Sequence, residues 1–444
     1  MAVLNPTPFG KYELLALLAT GGMAEIWLAR VQGAGGFEKL VVIKRLLDHL
    51  AVEEEYVQMF LDEARINARL SHSNVVQVLE LGQADGKYFM TMEYVAGLSV
   101  AAIGKKATQR LGEVPQAVAA GIVAQACAGL HYAHERTMPD GTPLNIIHRD
   151  ISPQNLICTW EGLVKVVDFG IAKAENRETE TRAGMVKGKF SYMSPEQCLA
   201  QTLDRRSDVF ALGIILFELC TARRLFKRGK TYQTYEAITK ADVPSPRSLN
   251  PKIDPGVEAV IMKALQRLPE NRYDSADAMQ EALEQAMHRA GMRGSRTDLE
   301  KFLERTFDKE FREQQDLLSS IQRGDVDRKS MIHMSAVAEN AAAELNLGKT
   351  DSGKMEAVSK PQLQTPLPQM LQPLGDDSKP TQIPEAREPL DDGPTRFDAR
   401  SYPTEGAPTV PELPANDVPL YQYVVMAFVM LGILAGLVWY ASPR

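Results

Sequence analysis

The chain has 444 residues, of which 44% are hydrophobic and 24% charged, and its net charge at pH 7 is −7. This length and hydrophobic content allow two or three domains with a sizeable core, while the negative charge offers no basic footprint for binding nucleic acid. Four cysteines without metal-ligand spacing or a pairing pattern favour a reduced, cytoplasmic compartment.

From Tyr12 to about Met92, short β-branched segments surround a single long helical segment. One predicted strand covers residues 41–44 and ends in Lys44. In the helix predicted from residues 53 to 70, the positions that share one face are Phe60, Glu63, Asn67 and Leu70. Glu63 therefore points toward the strand, and Asp62 is turned about 100° away. Two alternatives follow for Glu63, an ion pair with Lys44 or a solvated helix carboxylate.

The stretch from residue 148 to residue 170 carries the strongest chemical signal. It contains His148-Arg149-Asp150, then Asn155, then Asp168-Phe169-Gly170, with apolar segments before and after the intervening turn. Phosphoryl transfer from ATP needs a carboxylate that accepts the proton of the acceptor hydroxyl and oxygen ligands that hold Mg²⁺ against the triphosphate. The order and spacing match the protein-kinase signature, with Asp150 as the base and Asn155 and Asp168 as metal ligands.

On these motifs, residues 9–290 resemble a eukaryotic-like (Hanks-type) serine/threonine protein kinase of the kind found in bacteria. The resemblance implies an α+β fold with two lobes, a small antiparallel β lobe with one helix and a large helical lobe. It also implies ATP and Mg²⁺ as cofactors and proteins as substrates. Pro153-Gln154 after the base favours serine and threonine over tyrosine as acceptors.

The resemblance assigns the nucleotide site to the small lobe and the connection between the lobes. Lys44, held by Glu63, would grip the α- and β-phosphates, and the backbone of Glu93 and Val95 would bond the adenine edge beside Met92 as gatekeeper. The loop over the phosphates comprises Leu18, Ala19, Thr20, Gly21, Gly22, Met23, Ala24, Glu25 and Ile26.

This phosphate loop departs from the family pattern. Of the three expected glycines only Gly21 is present, because Ala19 and Ala24 occupy the other two positions. One extra methyl group is a small change, and Gly21-Gly22 keep the tip of the loop flexible. We therefore expect weaker nucleotide binding at most.

Two further departures lie near the base. Ser152 stands where kinases of this type place a lysine that neutralises charge on the transferred phosphoryl group, and Lys189 stands where they place a threonine. We hypothesise an exchange in which Lys189 reaches across and supplies the missing catalytic cation. The alternative is that Lys189 is a solvated loop lysine and that the enzyme works slowly with one cation fewer.

Other assignments follow from the resemblance. Glu196 is expected to pair with Arg272, and Asp208 to hold the backbone of the catalytic turn. Because an arginine precedes the base, we expect activation by phosphorylation of the activation segment, with Thr179 and Thr181 as acceptors. The alternative is that these two threonines are ordinary polar loop residues.

Apolar periodicity predicts further helices after the catalytic motifs. The segment 210–217 is apolar on all sides and too short to cross a bilayer, so we predict a buried helix. Accessory helices are predicted in residues 295–347. The first, from 298 to 322, is amphipathic and either packs on the large lobe or serves for contact; a second is predicted from 334 to 347. The apolar residues that recur in the first are Leu299, Phe302, Leu303, Phe307 and Phe311.

Residues 348–420 change in character, since prolines recur, acidic residues outnumber basic ones and large apolar side chains are sparse. Such a segment buries too little surface to offset its chain entropy, so we predict a disordered linker. Simple proline-rich composition is one interpretation. The other is that its Pro-Thr pairs are phosphorylated and bound by a phosphothreonine-binding partner. The pairs are Pro380-Thr381, Pro394-Thr395, Pro403-Thr404 and Pro408-Thr409.

Residues 421–441 contain no charged side chain. A helix of about 20 residues spans about 30 Å, the thickness of a bilayer's hydrocarbon core, and aromatic residues lie near both ends. We predict one transmembrane helix that anchors the chain in the cytoplasmic membrane. Gly432 and Gly436 fit a small-residue helix-packing pattern and suggest a homodimer.

The orientation of this anchor rests on two opposing arguments. Arg444 alone would keep the C-terminus in the cytoplasm by the positive-inside rule. Moving the three terminal residues across the membrane is nevertheless easier than exporting an ATP-using domain that has no signal sequence. We therefore predict a cytoplasmic kinase domain.

The sequence thus predicts a membrane-tethered kinase that phosphorylates serine and threonine on proteins and autophosphorylates its activation loop. A rival hypothesis is a nucleotide-binding pseudokinase scaffold that presents phosphothreonine motifs to partners, which Ser152 and the depleted glycine loop favour. A third is a small-molecule phosphotransferase, which the long activation segment ending in Ser194-Pro195-Glu196 disfavours.

Overall fold

The computed structural model describes residues 6–169 and 189–322, except for the side chains of Lys189 and Gln322. Several predictions fall outside these residues. They concern the acceptors Thr179 and Thr181, the helix 334–347, the linker 348–420 with its Pro-Thr pairs, and the membrane span 421–441 with Gly432 and Gly436.

The small lobe is a six-stranded antiparallel sheet with the strand order β1-β2-β3-β4-β6-β5. Its strands are β1 (Thr7–Phe9), β2 (Tyr12–Thr20), β3 (Ala24–Gln32), β4 (Glu38–Leu46), β5 (Val78–Ala84) and β6 (Lys87–Glu93). One helix, α1 (Glu54–Asn67), lies between β4 and β5 in the chain, as predicted. It contributes Phe60 and Ala64 to a core shared with Leu46 and Met90. This apolar contact sets the face of α1 that is turned toward the sheet.

A smaller antiparallel sheet follows, with the strand order β7-β8-β9. Its strands are β7 (Gly97–Ser99), β8 (Leu156–Thr159) and β9 (Val164–Val166). Because Leu156 at the start of β8 pairs with Val166 at the end of β9, the residues just before β8 and just after β9 meet at one edge. The antiparallel register therefore brings Asn155 and Asp168 together.

The large lobe is helical. Its helices are α2 (Val100–Leu111), α3 (Gln116–His134), α4 (Pro195–Cys198), α5 (Arg206–Thr221), α6 (Thr231–Lys240), α7 (Pro246–Leu249), α8 (Pro255–Ala264) and α9 (Ala276–Arg289). The predicted buried helix is α5, which buries Phe210, Ile214 and Phe217 almost completely. Each such side chain contributes about 1.5–3 kcal/mol by leaving water, so α5 forms the centre of this lobe.

One more helix, α10 (Arg296–Gln322), follows the large lobe and matches the amphipathic helix predicted from residue 298. Leu299, Leu303 and Phe307 lie in the large-lobe core, which confirms the packing alternative. The helix continues to the small lobe, where Leu317 and Ile321 pack in a separate cluster. The sequence did not predict this second contact.

The four cysteines are free and lie in the described part of the chain. Cys127, Cys158 and Cys220 are buried and Cys198 is half-buried. Burial raises the pKa of Cys158, Cys198 and Cys220 to about 12, so these thiols stay protonated at neutral pH.

In residues 6–169 and 189–322, no helix has the length and apolar character needed to cross a bilayer.

Candidate active site

The catalytic turn is held by a buried carboxylate, as predicted. Asp208 at the start of α5 accepts hydrogen bonds from the backbone N–H groups of His148 at 2.8 Å and Arg149 at 2.9 Å. It also contacts Nε2 of His134 at 2.8 Å, a partner that no sequence pattern indicated. Burial raises the pKa of Asp208, but the interactions with His134 and His148 more than offset this, and the pKa lies below its ordinary value. Asp208 therefore stays ionised and fixes the turn.

Asp150 is fixed by Asn155. The Asn155 amide Nδ2 donates to the backbone oxygen of Asp150 at 2.8 Å and to its carboxylate at 3.1 Å. The Asn155 backbone N–H donates to Ser152 O at 3.0 Å, which closes the loop between the two residues. The side chain predicted as a metal ligand thus also orients the side chain predicted as the base.

Asp168 is tied to the same turn through its neighbours. The N–H of Val167 donates to Asn155 O at 2.9 Å, and Nε2 of His148 lies 3.1 Å from Val167 O. The His148 and Phe169 rings lie 4.6 Å apart. Burial lowers the pKa of His148, although Asp208 and Asp150 oppose this shift. A neutral imidazole therefore joins the two motifs at pH 7.

Two non-glycine residues at this site have left-handed backbone conformations, namely Arg149 with a φ of 66° and Asp168 with a φ of 56°. Such conformations are uncommon for residues with a Cβ and concentrate at functional sites. Here the hydrogen bonds around the catalytic turn hold them in place. The unusual backbone thus occurs in both acidic motifs.

Lys44 on β4 forms an ion pair with Glu63 of α1, and both side chains are largely buried. Burial lowers the pKa of Lys44, but the carboxylates of Glu63, Asp168 and Asp150 together raise it above its ordinary value. Lys44 is therefore charged and within electrostatic reach of Asp150, the predicted base, and Asp168, a predicted metal ligand. Asp62 is half exposed, as its position on the helix predicted, and it pairs with Arg65.

The connection between the lobes starts at Met92, which is buried against the small-lobe core. Next to it, the Glu93 carboxylate accepts a hydrogen bond from the backbone N–H of Gln77 at 2.8 Å and pairs with Lys165 Nζ at 2.7 Å. Sequence reasoning missed Lys165, because no local pattern pairs it with Glu93. This ion pair ties the interlobe segment to β9.

The phosphate loop is a tight hairpin between β2 and β3. The Gly21 N–H donates to Ala24 O at 2.8 Å, and a Cβ added at Gly21 would lie 3.4 Å from that oxygen. Ala24, in place of an expected glycine, is buried in the small-lobe core together with Leu46 and Phe60. The methyl group at this position thus packs in the core.

The two departures near the base have different outcomes. Ser152 is 1% exposed, and its hydroxyl has no hydrogen-bond partner among the described residues. The backbone of Lys189 begins a short 3₁₀ turn, Lys189–Tyr192, but its side chain lies outside the description. The exchange hypothesis for Lys189 therefore stays a prediction.

The predicted buttress of the large lobe is present. Arg272 donates to both carboxylate oxygens of Glu196, at 2.6 and 2.8 Å, and both side chains are buried. Burial raises the pKa of Glu196, but Arg272 more than offsets this, and the pKa lies below its ordinary value. Gln197, which the sequence did not single out, donates to Arg149 O at 2.8 Å. Helix α4 is thereby attached both to the large lobe and to the catalytic turn.

A two-lobed fold with these converging groups defines a protein kinase, and comparison with known proteins agrees. The protein kinase domain family model matches residues 12–284, and the chain belongs to this family. This confirms the predicted protein kinase domain.

Individual relatives are also similar. Tyrosine-protein kinase MasK of Myxococcus xanthus is 48% identical over 277 residues, which are 62% of this chain and 43% of MasK. Serine/threonine-protein kinase PrkC of Bacillus subtilis is 34% identical over 271 residues, 61% of this chain and 40% of PrkC. The Mycobacterium tuberculosis PknI kinase domain matches with a TM-score of 0.48 at 24% identity, over 64% of this chain and 99% of that one. The chain spans less than half the length of either curated relative.

Proposed function

We propose that this chain transfers the terminal phosphate of ATP to serine and threonine side chains of proteins, and that it autophosphorylates its activation segment. The observation that carries the proposal is the convergence of Asp150, Asp168 and Asn155 with the Lys44–Glu63 pair. The Lys44–Glu63 pair lies within electrostatic reach of Asp150 and Asp168, and Asn155 orients Asp150. These are the parts that phosphoryl transfer requires.

In the proposed reaction, the acceptor hydroxyl oxygen forms a bond to the terminal phosphorus while the bond from that phosphorus to ADP breaks. The hydroxyl proton goes to Asp150, whose carboxylate the Asn155 amide holds in place. Lys44 places its charge beside the nontransferred phosphates, and Glu63 holds it there. The backbone of Glu93 and Val95 would hold the adenine.

The donor set near Asp150 fits a shared Mg²⁺ site. Within residues 6–169 and 189–322, no cluster of three or more histidine, cysteine or acidic residues could hold a metal ion alone. Mg²⁺ is usually bound by one or two carboxylates together with substrate phosphates, and the adjacent Asn155 and Asp168 fit this arrangement. When bound, Mg²⁺ neutralises charge on the phosphates.

Serine and threonine are favoured as acceptors by Pro153-Gln154 after the base and by relatives such as PrkC, whose name states that specificity. A second candidate is phosphorylation of tyrosine. MasK, at 48% identity, is named a tyrosine-protein kinase, and Ser152 replaces the lysine expected of a serine/threonine kinase. Phosphoamino-acid analysis of the labelled chain separates the two: phosphothreonine or phosphoserine supports the first, and phosphotyrosine alone supports the second.

The activity is tested by incubating the chain with γ-labelled ATP and Mg²⁺. Asp150→Ala removes the proposed base, and Asp62→Ala removes an exposed carboxylate as the matched control. We expect label on Thr179 or Thr181 in the parent and control and none in Asp150→Ala. Nucleotide binding without any transfer would instead support the scaffold hypothesis.

The exchange hypothesis has its own test in the same assay. Lys189→Thr is expected to reduce transfer strongly if Lys189 supplies the cation missing at Ser152. Full turnover by this variant would contradict the exchange.

We further propose that residues 421–441 anchor the kinase in the cytoplasmic membrane with the catalytic domain in the cytoplasm. The support is an uncharged stretch of spanning length with aromatic residues near its ends. The proposal includes a homodimer through Gly432 and Gly436 and a phosphothreonine-binding partner for the Pro-Thr pairs. Membrane fractionation tests the anchor, because deletion of residues 421–441 should move the kinase from the membrane fraction to the soluble fraction.

A further inference from the structure

We infer that helix α10 is a brace between the two lobes and that Gln314, Leu317 and Ile321 are positioning residues for ATP binding. This inference rests on the proposed function, because it concerns the affinity for nucleotide. The helix begins at Arg296, beyond the family match that ends at residue 284. Its contacts are therefore a property of this chain in addition to its kinase domain.

The start of α10 packs directly against the backbone of the large lobe. A Cβ added at Gly162, in the turn between β8 and β9, would lie 2.1 Å from Arg296 O. A Cβ added at Gly121 of α3 would lie 2.3 Å from the oxygen of Gly294. Arg296 Nε also donates to Glu161 O at 2.8 Å. Only glycine permits approaches this close, so the first turn of α10 is fixed to the large lobe.

The helix bends at Phe307, where φ and ψ are −126° and 26°. Arg110 of α2 donates to Thr306 O beside the bend and pairs with the Glu310 carboxylate. Lys106, also on α2, lies 3.0 Å from Glu310. Helix α2 thus holds α10 where it leaves the large-lobe core.

Beyond the bend, Gln314 joins the interlobe segment to the large lobe. Its Nε2 donates to the hydroxyl of Tyr94 at 3.1 Å, and its Oε1 accepts from the indole N–H of Trp160. Phe311 packs edge-on against Trp160, with ring centroids 5.3 Å apart. Tyr94 lies between Glu93 and Val95, whose backbone is proposed to bond adenine. A substitution at Gln314 would therefore alter the support of Tyr94, the residue between the two that are proposed to bond adenine.

The last turns of α10 contact the small lobe. Leu317 and Ile321 are buried against Leu15 and Leu28, and Leu18 packs on the same cluster. Ile321 O also accepts a hydrogen bond from Arg30 Nη1 at 3.3 Å. Because Leu18 begins the phosphate loop, the end of α10 supports the strand that leads over the nucleotide.

A helix with fixed contacts on both lobes restricts their relative rotation, and Arg110 and Lys106 hold its bend in place. When contacts of α10 are removed, the lobes sample more orientations, and a smaller fraction of molecules has the lobe orientation that binds ATP. The apparent affinity for ATP falls in proportion to that fraction. The rate at saturating ATP stays close to the parent value, because no group that contacts the phosphates has changed.

The test uses the 444-residue chain and three measurements, namely the Kd for ADP with Mg²⁺ by calorimetry, the KM for ATP with kcat, and the melting temperature. The variants are Gln314→Ala and the double variant Leu317→Ala/Ile321→Ala, with Leu317→Met as the conservative rescue. The matched control is Arg312→Ala, on the same helix with a 74% exposed side chain. We expect both brace variants to raise Kd and KM about fivefold or more, the lower end of typical coupling between sites.

In the supporting result, kcat at saturating ATP stays within about twofold of the parent, and Leu317→Met and the control match the parent. A lower melting temperature with unchanged Kd and KM would overturn the inference, because α10 would then stabilise the fold without positioning the site. If the double variant does not fold, the Kd and KM of Gln314→Ala test the inference, because this variant loses the side-chain hydrogen bonds of Gln314 and keeps the apolar contacts of Leu317 and Ile321. A parent chain that binds no ADP would overturn the proposed function, and with it this inference.

Discussion

The catalytic turn and the interlobe segment are supported in contrasting ways. The turn is held by buried charges within the kinase domain, with Asp208 on its backbone and the Glu196–Arg272 pair beneath it. The interlobe segment has one partly exposed ion pair, between Glu93 and Lys165. Its Tyr94 is held by Gln314 through a neutral hydrogen bond, and the same helix contributes Leu317 and Ile321 as apolar contacts to the small lobe.

This contrast predicts how each region responds to change. Removing one partner of a buried charged network leaves the other charge uncompensated, which is costly. Loss of a neutral hydrogen bond typically costs about 1 kcal/mol. We therefore expect the loss of one charged partner at the catalytic turn to cost more stability than the loss of the Tyr94–Gln314 hydrogen bond.

The largest expected effect is at the base. Asp150→Asn keeps the size of the side chain but removes the proton acceptor, so the initial rate of label transfer from ATP should fall about 10²- to 10⁴-fold. Asp140→Asn, at an exposed turn, is the control and should match the parent. A rate for Asp150→Asn close to the parent rate would remove Asp150 from its proposed role.

The next effect concerns the buried ion pair. Arg272→Met should lower the free energy of unfolding by about 3–5 kcal/mol, because it leaves the Glu196 carboxylate buried without its cation. Urea denaturation measures this loss, with the exposed Arg289→Met as control. The double variant Glu196→Leu/Arg272→Met should regain part of the stability. If it is no more stable than Arg272→Met, the uncompensated charge is not the cause.

A smaller effect is expected on the nucleotide side. Glu63→Gln weakens the charge-assisted bond to Lys44, which is worth about 1.5–3 kcal/mol, so kcat/KM for ATP should fall about 10- to 100-fold. Asp62→Asn is the matched control, one residue away on the same helix and directed outward. Equal effects of the two substitutions would contradict the predicted role of Glu63.

The smallest effect is pH-dependent. Burial raises the pKa of Glu310, but hydrogen bonds from Arg110 and Lys106 lower it to about 2 in the folded chain. A depressed carboxyl pKa stabilises the fold above the unfolded pKa, and this contribution is lost as the pH falls toward 2. The difference in free energy of unfolding between the parent and Glu310→Gln should therefore be constant near neutral pH and shrink below about pH 4.5. A difference that does not change with pH would exclude this ionic contribution.

Much of the site was predictable because short sequence spacings set it. A helical repeat places Glu63 opposite the strand of Lys44, and the catalytic motifs lie on either side of two short paired strands. The large-lobe pairs of Asp208 and Glu196 followed from the family resemblance. In each case a local pattern or a family motif specified the partner.

The remaining features depend on contacts that local patterns do not encode. An amphipathic repeat shows which face of residues 298–322 is apolar, but not that its last turns meet the small lobe. His134 and Lys165 find their carboxylate partners only in the tertiary structure. Ser152 was identified as a departure, and its exchange with Lys189 stays a prediction.

The burial of the thiols has a practical consequence. With pKa values of about 12, Cys158, Cys198 and Cys220 offer almost no thiolate at neutral pH, and Cys127 is fully buried as well. The chain should therefore react slowly with maleimides. A single cysteine introduced at exposed Arg312 would then carry a fluorophore selectively, without first removing the natural thiols.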